Sequence, residues 1–225
     1  MADWRDDAML VPVFEALTGA GLAASAGLNA WIPLLSVGLL ARYTHLITLP
    51  GNWHWLTNGW VLLILGVLLA IEMVADKIPV VDHVNDVLHT VIRPTAGGLV
   101  FGAASQSQTK TVTDPGQFFS SHQWIPIAAG VVIAFAVHGV KASARPVVNV
   151  STMGVGTPFV SFAEDVFSTV MTLVAIVAPI LIVLFLLGIV LFFVWIVRRR
   201  KRRKAMKAAA RAARVSAGPP PAVPR

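Results

Sequence analysis

Asp82, Asp86 and His89 stand at i, i+4 and i+7, so on a helix they share one stripe, with Arg93 one further turn along. Two carboxylates and an imidazole on one stripe can bind a divalent cation or pass a proton. Glu72 and Asp76 lie four apart, and Lys141 and Arg145 repeat that spacing with the opposite sign. Glu164, Asp165 and Lys77 also lie in or beside apolar stretches. An ionisable group in a membrane span costs roughly 3 kcal/mol or more unless it is paired or faces water. The candidates for an ion or solute site are therefore Glu72, Asp76, Lys77, Asp82, Asp86, His89, Arg93, Lys141, Arg145, Asn149, Glu164 and Asp165. A plainer reading pairs the acids with Lys77, Arg93, Lys141 and Arg145 to hold the segments together. The acids outnumber the bases, which leaves an acidic surplus.

Lys141 and Arg145 precede a run of small polar residues, Asn149, Ser151, Thr152, Gly154 and Gly156. Pro158 then suits a first helical turn, with Ser161, Glu164 and Asp165 just inside. Acids in a first turn complement the helix dipole. Alternatively the run is a loop that re-enters the membrane, where the two bases could hold an anionic head group or phosphate. His138, alone in an apolar stretch, reads as a satisfied core residue. The chain has no cysteine, which excludes disulfides, thiolate metal sites and cysteine nucleophiles. It has no zinc-ligand spacing, phosphate-cradling loop or nucleophile elbow. No cofactor is expected.

The elements that must position these groups are membrane helices. Of 225 residues, 56% are apolar and 13% charged, and the mean hydropathy is +0.73. A water-soluble domain carries about a quarter charged residues. A crossing helix needs about 20 apolar residues. Residues 11–41 meet that length but are interrupted by Gly19, Gly21, Gly27, Asn29 and Pro33, which predicts a broken segment. Further spans are expected at 59–75, at 80–104 with a break at Arg93-Pro94, at 124–140, at 158–178 and at 179–197. Pro179 is either a tight turn or a kink.

The net charge of +7 resides in the tail, where Arg198, Arg199, Arg200, Lys201, Arg202, Arg203 and Lys204 run unbroken. Basic residues stay in the cytoplasm, so the C-terminus is expected inside, with residues 141–157 as an inner loop and residues 44–58 as an outer one. Trp53, Trp55 and Trp60 would then form an interfacial aromatic belt. The tail should contact anionic lipid phosphates. The partners expected are the bilayer, those head groups and, as an open option, a second copy of the chain. Nucleic acid is not expected. The acidic N-terminus lacks the basic region of a cleaved signal peptide.

The chain also repeats itself. Residues 21–26 match 139–144, and Pro79 to Val91 matches Pro158 to Val170 without a gap, sharing Pro, Asp, Thr and three Val. Two related halves with broken helices are how many secondary transporters are built, and duplication for packing alone would leave the same trace.

Several polar stretches carry a resemblance: Gly27 to Pro33, Ala75 to Pro79 with Asp82, Asp86, His89 and Arg93-Pro94, Lys141 to Arg145, and Gly156 to Ser161 leading to Glu164-Asp165. On these the chain resembles the bacterial membrane family known as domain of unknown function 4126, over nearly its whole length before the tail. Thr157 departs from the Asn expected before Pro158. The resemblance implies a membrane protein and no activity.

The reading is an all-α, polytopic transmembrane bundle of about six spans with broken or re-entrant segments and two related halves. Its sections are 1–10 (N-terminal segment), 11–104 (first repeat), 105–122 (external loop), 123–178 (second repeat), 179–198 (last span) and 199–225 (basic tail). The expected location is the bacterial inner membrane. The expected function is transport or channel-like passage of an ion or small solute at the repeat interface. A membrane scaffold or assembly factor is the alternative, and a lipid-modifying enzyme the third reading.

Overall fold

The computed structural model describes residues 4–105, 115–153 and 155–184, with isolated positions beyond; side chains at 4–9, 79–84, 86, 115, 147 and 149 lie outside the description. The elements are α1 (Trp4–Leu28), α2 (Trp31–Tyr43), a 3-10 helix (Gly51–Thr57), α3 (Gly59–Ala75), α4 (Pro79–Ala104), α5 (Pro115–Ser120), α6 (Trp124–Thr152) and α7 (Thr157–Val177). No strand occurs among the described residues.

Local chemistry sets the boundaries. Asn29 ends α1 and starts α2: its Oδ1 accepts from the Trp31 and Ile32 backbone N–H groups at 3.0 and 3.3 Å. Asn58 caps α3 by accepting from Trp60 N at 2.9 Å. Pro79 opens α4 and Pro158 lies in the first turn of α7. α7 stops at Val177, before Pro179, which lacks the N–H a continuing helix needs, and helical backbone resumes at Ile180.

The break expected at Arg93-Pro94 does not occur, and the helix expected to end at residue 140 runs on. α4 runs unbroken through Pro94, and α6 runs through Pro146 to Thr152. A proline removes one backbone hydrogen bond, and packing of neighbouring helices against α4 and α6 holds both in line. Lys141 and Arg145 therefore lie on a long helix and not in an inner loop, and the stretch alternatively read as a re-entrant loop is helix to Thr152 followed by a short turn. The belt also needs correction. Trp55 and Trp60 are exposed, but Trp53 is buried against Gly102, whose missing side chain makes room for the indole.

Residues up to Ile182 form one compact unit. In it α4 and α6 pack antiparallel: Arg93 meets His138, Gly97 meets Gly130 and Ala134, and Phe101 meets Gly130. A Cβ at Gly97 would lie 2.3 Å from the Ala134 Cβ, so the contact is backbone-close. α7 runs antiparallel to α1, with Asp165 at Asn29, Ser168 and Thr172 at Ser25, and Ala175 at Gly21. In the second unit, residues 183–225, the Arg199 guanidinium carbon lies 4.9 Å from the Trp195 ring centroid. Of the tail residues expected at lipid phosphates, Arg198, Arg199 and Arg202 are described. Arg200, Lys201, Arg203 and Lys204 lie outside the described residues.

The polarity of the first unit is inverted relative to a water-soluble fold. Leu63, Ile64, Val67, Phe135, Phe159 and Phe162 are exposed, while Arg93 is 0% and Glu72 and Asp76 are 2% exposed. Apolar outside and ionic inside suits lipid as the surrounding solvent. The chain is a membrane-embedded helical protein. Three helical stretches are long and apolar enough to cross, Leu10–Leu28, Trp124–Thr152 and Thr157–Val177, and the 3-10 helix with α3, bent by 61°, makes a fourth. The described residues thus supply three or four spans and not six. α2 has only 13 residues, and α4 has the length but carries Asp82, Asp86 and Arg93. Part of the stretch expected at 179–197 (185, 186, 189, 190, 192, 193, 196 and 197) lies outside the described residues.

Candidate functional site

The last turn of α3 delivers Glu72 and Asp76, one helical turn apart, to the inside of the bundle. Across from Glu72, Arg93 sits near mid-length of α4, and its Nη2 donates to Glu72 Oε1 at 2.8 Å. Its Nη1 lies 3.0 Å from Nδ1 of His138, near mid-length of α6. Guanidinium nitrogens only donate, so the ring accepts at Nδ1, and its Nε2, 3.2 Å from Thr90 Oγ1, is left as a donor. His89, one turn before Arg93, brings Nε2 to 3.7 Å from Glu72 Oε1, too far for a hydrogen bond. Its ring packs edge-on against Trp31 at 6.3 Å.

One turn further along α3, Asp76 is a hub. Its Oδ2 lies 3.2 Å from Arg145 Nη2, 3.4 Å from Lys141 Nζ and 3.8 Å from Arg93 Nη2. Asn85 Nδ2 donates to Oδ1 at 2.6 Å. Glu164 of α7 closes the network, with Oε2 at 2.7 Å from Arg145 and 3.1 Å from Lys141. Ser161 accepts from Arg145 at 3.1 Å and donates to the Asp76 carbonyl at 2.9 Å. Lys141 also donates to the Leu28 carbonyl at 2.9 Å, which ties the open end of α1 to the layer.

Asp165 stands apart. Its Oδ1 accepts from Asn29 Nδ2 at 2.9 Å, and it makes no ion pair among the described residues. Among the described residues, the buried acceptor and ring atoms in or beside the layer without a hydrogen-bond partner include Glu72 Oε2, His89 Nδ1 and Asp165 Oδ2.

Of the residues expected from the sequence, the structure brings Glu72, Asp76, His89, Arg93, Lys141, Arg145 and Glu164 together, with Asp165 to one side on Asn29. Lys77 is half-buried and donates to the Met73 carbonyl at the end of α3. The side chains of Asp82, Asp86 and Asn149 lie outside the described residues, so the stripe is described only at His89 and Arg93. Asn29, Asn85, Ser161 and His138 were not among the expected residues. His138 was legible: with Lys141 and Arg145 it stands at i, i+3 and i+7, one face of a helix. Asn29 showed only as an interruption. Among the described residues no group of three His, Cys, Asp or Glu side chains could hold a metal ion.

The family described as Domain of unknown function (DUF4126) matches residues 16–199. No curated protein and no solved structure matches the chain.

Proposed function

The chain belongs to the DUF4126 family, a domain of unknown function, and we propose that it is a small transporter or channel-like membrane protein that passes a proton or small ion through its buried ionic layer. One observation carries the reading. A network serving only to hold helices together satisfies its polar atoms, since each orphan costs about 1–3 kcal/mol. Among the described residues Glu72 Oε2 and His89 Nδ1 are buried without a hydrogen-bond partner, on two residues whose facing atoms are 3.7 Å apart. A carboxylate and an imidazole at this distance need only a small side-chain shift to come within hydrogen-bond reach and exchange a proton.

The repeat is part of the proposal. The matched segments begin α4 and α7, both opened by proline, and both helices run antiparallel to α1. This supports two related halves meeting at the layer. The basic tail supports a cytoplasmic C-terminus in contact with anionic lipids, in a bacterial inner membrane.

The scaffold reading is favoured by a different feature: Arg93, Lys141 and Arg145 each lie within 3.4 Å of a carboxylate, as in a closed, paired core. Flux separates the two. The full chain is reconstituted in liposomes holding a pH-sensitive dye, and a potassium diffusion potential is applied. Proton entry above empty liposomes, cut about tenfold or more by Glu72→Gln, is the expected result. Leakage equal to empty liposomes for the unaltered chain overturns transport of protons.

A further inference from the structure

A groove lies between α2, α3 and α7 of the first unit, with a cavity volume of about 420 Å³. Ile32, Leu35, Leu39, Leu69 and Met73 form apolar walls, and one ionisable residue lines it, Asp165. That volume falls within the range of ligand pockets, roughly 300–1,000 Å³.

Asp165 is the acid the layer leaves over. Glu72, Asp76 and Glu164 each lie within 3.4 Å of an arginine or lysine. Among the described residues Asp165 receives only the neutral Asn29 amide, while its backbone carbonyl accepts from Thr169 Oγ1 at 2.9 Å. The residue is 8% exposed, and Oδ2 is buried with no partner. A carboxylate in an apolar wall is costly unless a cation or a donor meets it.

We propose that this groove binds a lipophilic amine, with the ammonium group on Asp165 and the alkyl chain along the apolar walls. The chemistry selects the class. An anion would be repelled by the carboxylate, and an alcohol or a lipid tail would leave it without a counter-charge. A bound divalent ion would want further carboxylate or imidazole ligands, and no such group exists among the described residues. An ammonium group supplies both charge and donors to the oxygen that lacks them. The site lies beside the ion path proposed above and does not depend on it.

The test uses the full chain in maltoside micelles, with thermal unfolding followed by tryptophan fluorescence. The probes are dodecylamine, dodecanol and dodecanoate. Dodecylamine at saturation should raise the Tm by about 5 °C or more, and the other two should not. Asp165→Asn should abolish the rise, and so should Ser36→Phe, which fills the groove from a half-buried position without touching the ionic layer. If Asp165→Asn does not fold, Ser36→Phe carries the decision. An equal rise with dodecanol, no rise at all, or a rise that survives in Ser36→Phe overturns the proposal. So does a dimer that Ser36→Phe dissociates in the absence of amine, since a second copy would then be the occupant. No gradient enters the measurement, so its outcome is independent of the flux assay.

Discussion

Arg93 reaches Glu72 at 2.8 Å in the middle of the bundle, and neither side chain is more than 1% exposed. The two are 21 positions apart and come from α3 and α4, so the pair ties consecutive helices where neither could be left alone. Removing one partner of a buried pair strands the other charge at a cost of about 3–5 kcal/mol, whereas removing both is far milder. Arg93→Met should therefore destabilise the protein by about that amount, and Glu72→Met with Arg93→Met should cost less than Arg93→Met alone. Denaturant unfolding in mixed micelles measures both. Strictly additive losses would show that the pair is not coupled.

The α4–α6 contact depends on the absence of side chains. At Gly97 an added Cβ would meet the Ala134 Cβ at 2.3 Å and the Gly130 carbonyl at 2.8 Å, and neither neighbour can swing away. Gly97→Ala should cost about 1–3 kcal/mol, with a lower midpoint in the same unfolding measurement. Gly66, which has open space around it, is the control, and Gly66→Ala should be neutral or slightly stabilising in its helix. Equal effects at the two glycines would refute the packing argument.

The sequence spoke plainly where the physics is local. Apolar length gave the helices, Pro79 and Pro158 marked two helix starts, and the cost of intramembrane charge singled out the residues that the layer gathers. It misled where tertiary packing overrides a local breaker, as at Pro94, because the gain from neighbouring helices is not written beside the proline. Trp53 was misplaced for the same reason: the space it fills at Gly102 lies on another helix. Asn29 and Asp165 are 136 positions apart, and no periodicity links them.

Ser25 offers a milder test of polar packing in the membrane. Its hydroxyl lies 2.7 Å from both Ser168 Oγ and Thr172 Oγ1, and 2.8 Å from the Ser168 carbonyl, which zips α1 to α7. Interhelical hydrogen bonds of this kind contribute about 0.6 kcal/mol on average and rarely exceed about 1.7. Ser25→Ala should fall in that range, and a double-mutant cycle with Thr172→Val should give a coupling of similar size. Ser25→Leu should cost several times more, because Ser25 is fully buried and the added volume has nowhere to go. A Leu variant as stable as the Ala variant would mean that the helices stand further apart than these distances say.

Asn29 does two jobs that a charge exchange can separate. Its Oδ1 caps α2, and its Nδ2 donates to Asp165 at 2.9 Å. Asn29→Ala removes both, with a lost cap worth about 1 kcal/mol and a carboxylate oxygen without its donor worth about 1–3 more. Asn29→Asp keeps an acceptor for the cap but sets two carboxylates against each other at that distance, and like charges so close cannot both ionise cheaply. It should therefore be at least as damaging as Asn29→Ala, although Asp is as good a cap as Asn. Exchanging the pair, Asn29→Asp with Asp165→Asn, restores one carboxylate and one amide in reversed order, and the cap still has its acceptor. The exchanged protein should recover to within about 1 kcal/mol of the original, a gain over either single variant that only direct contact explains. An exchanged protein no more stable than Asn29→Asp alone would show that Asp165 is held by its surroundings and not by Asn29.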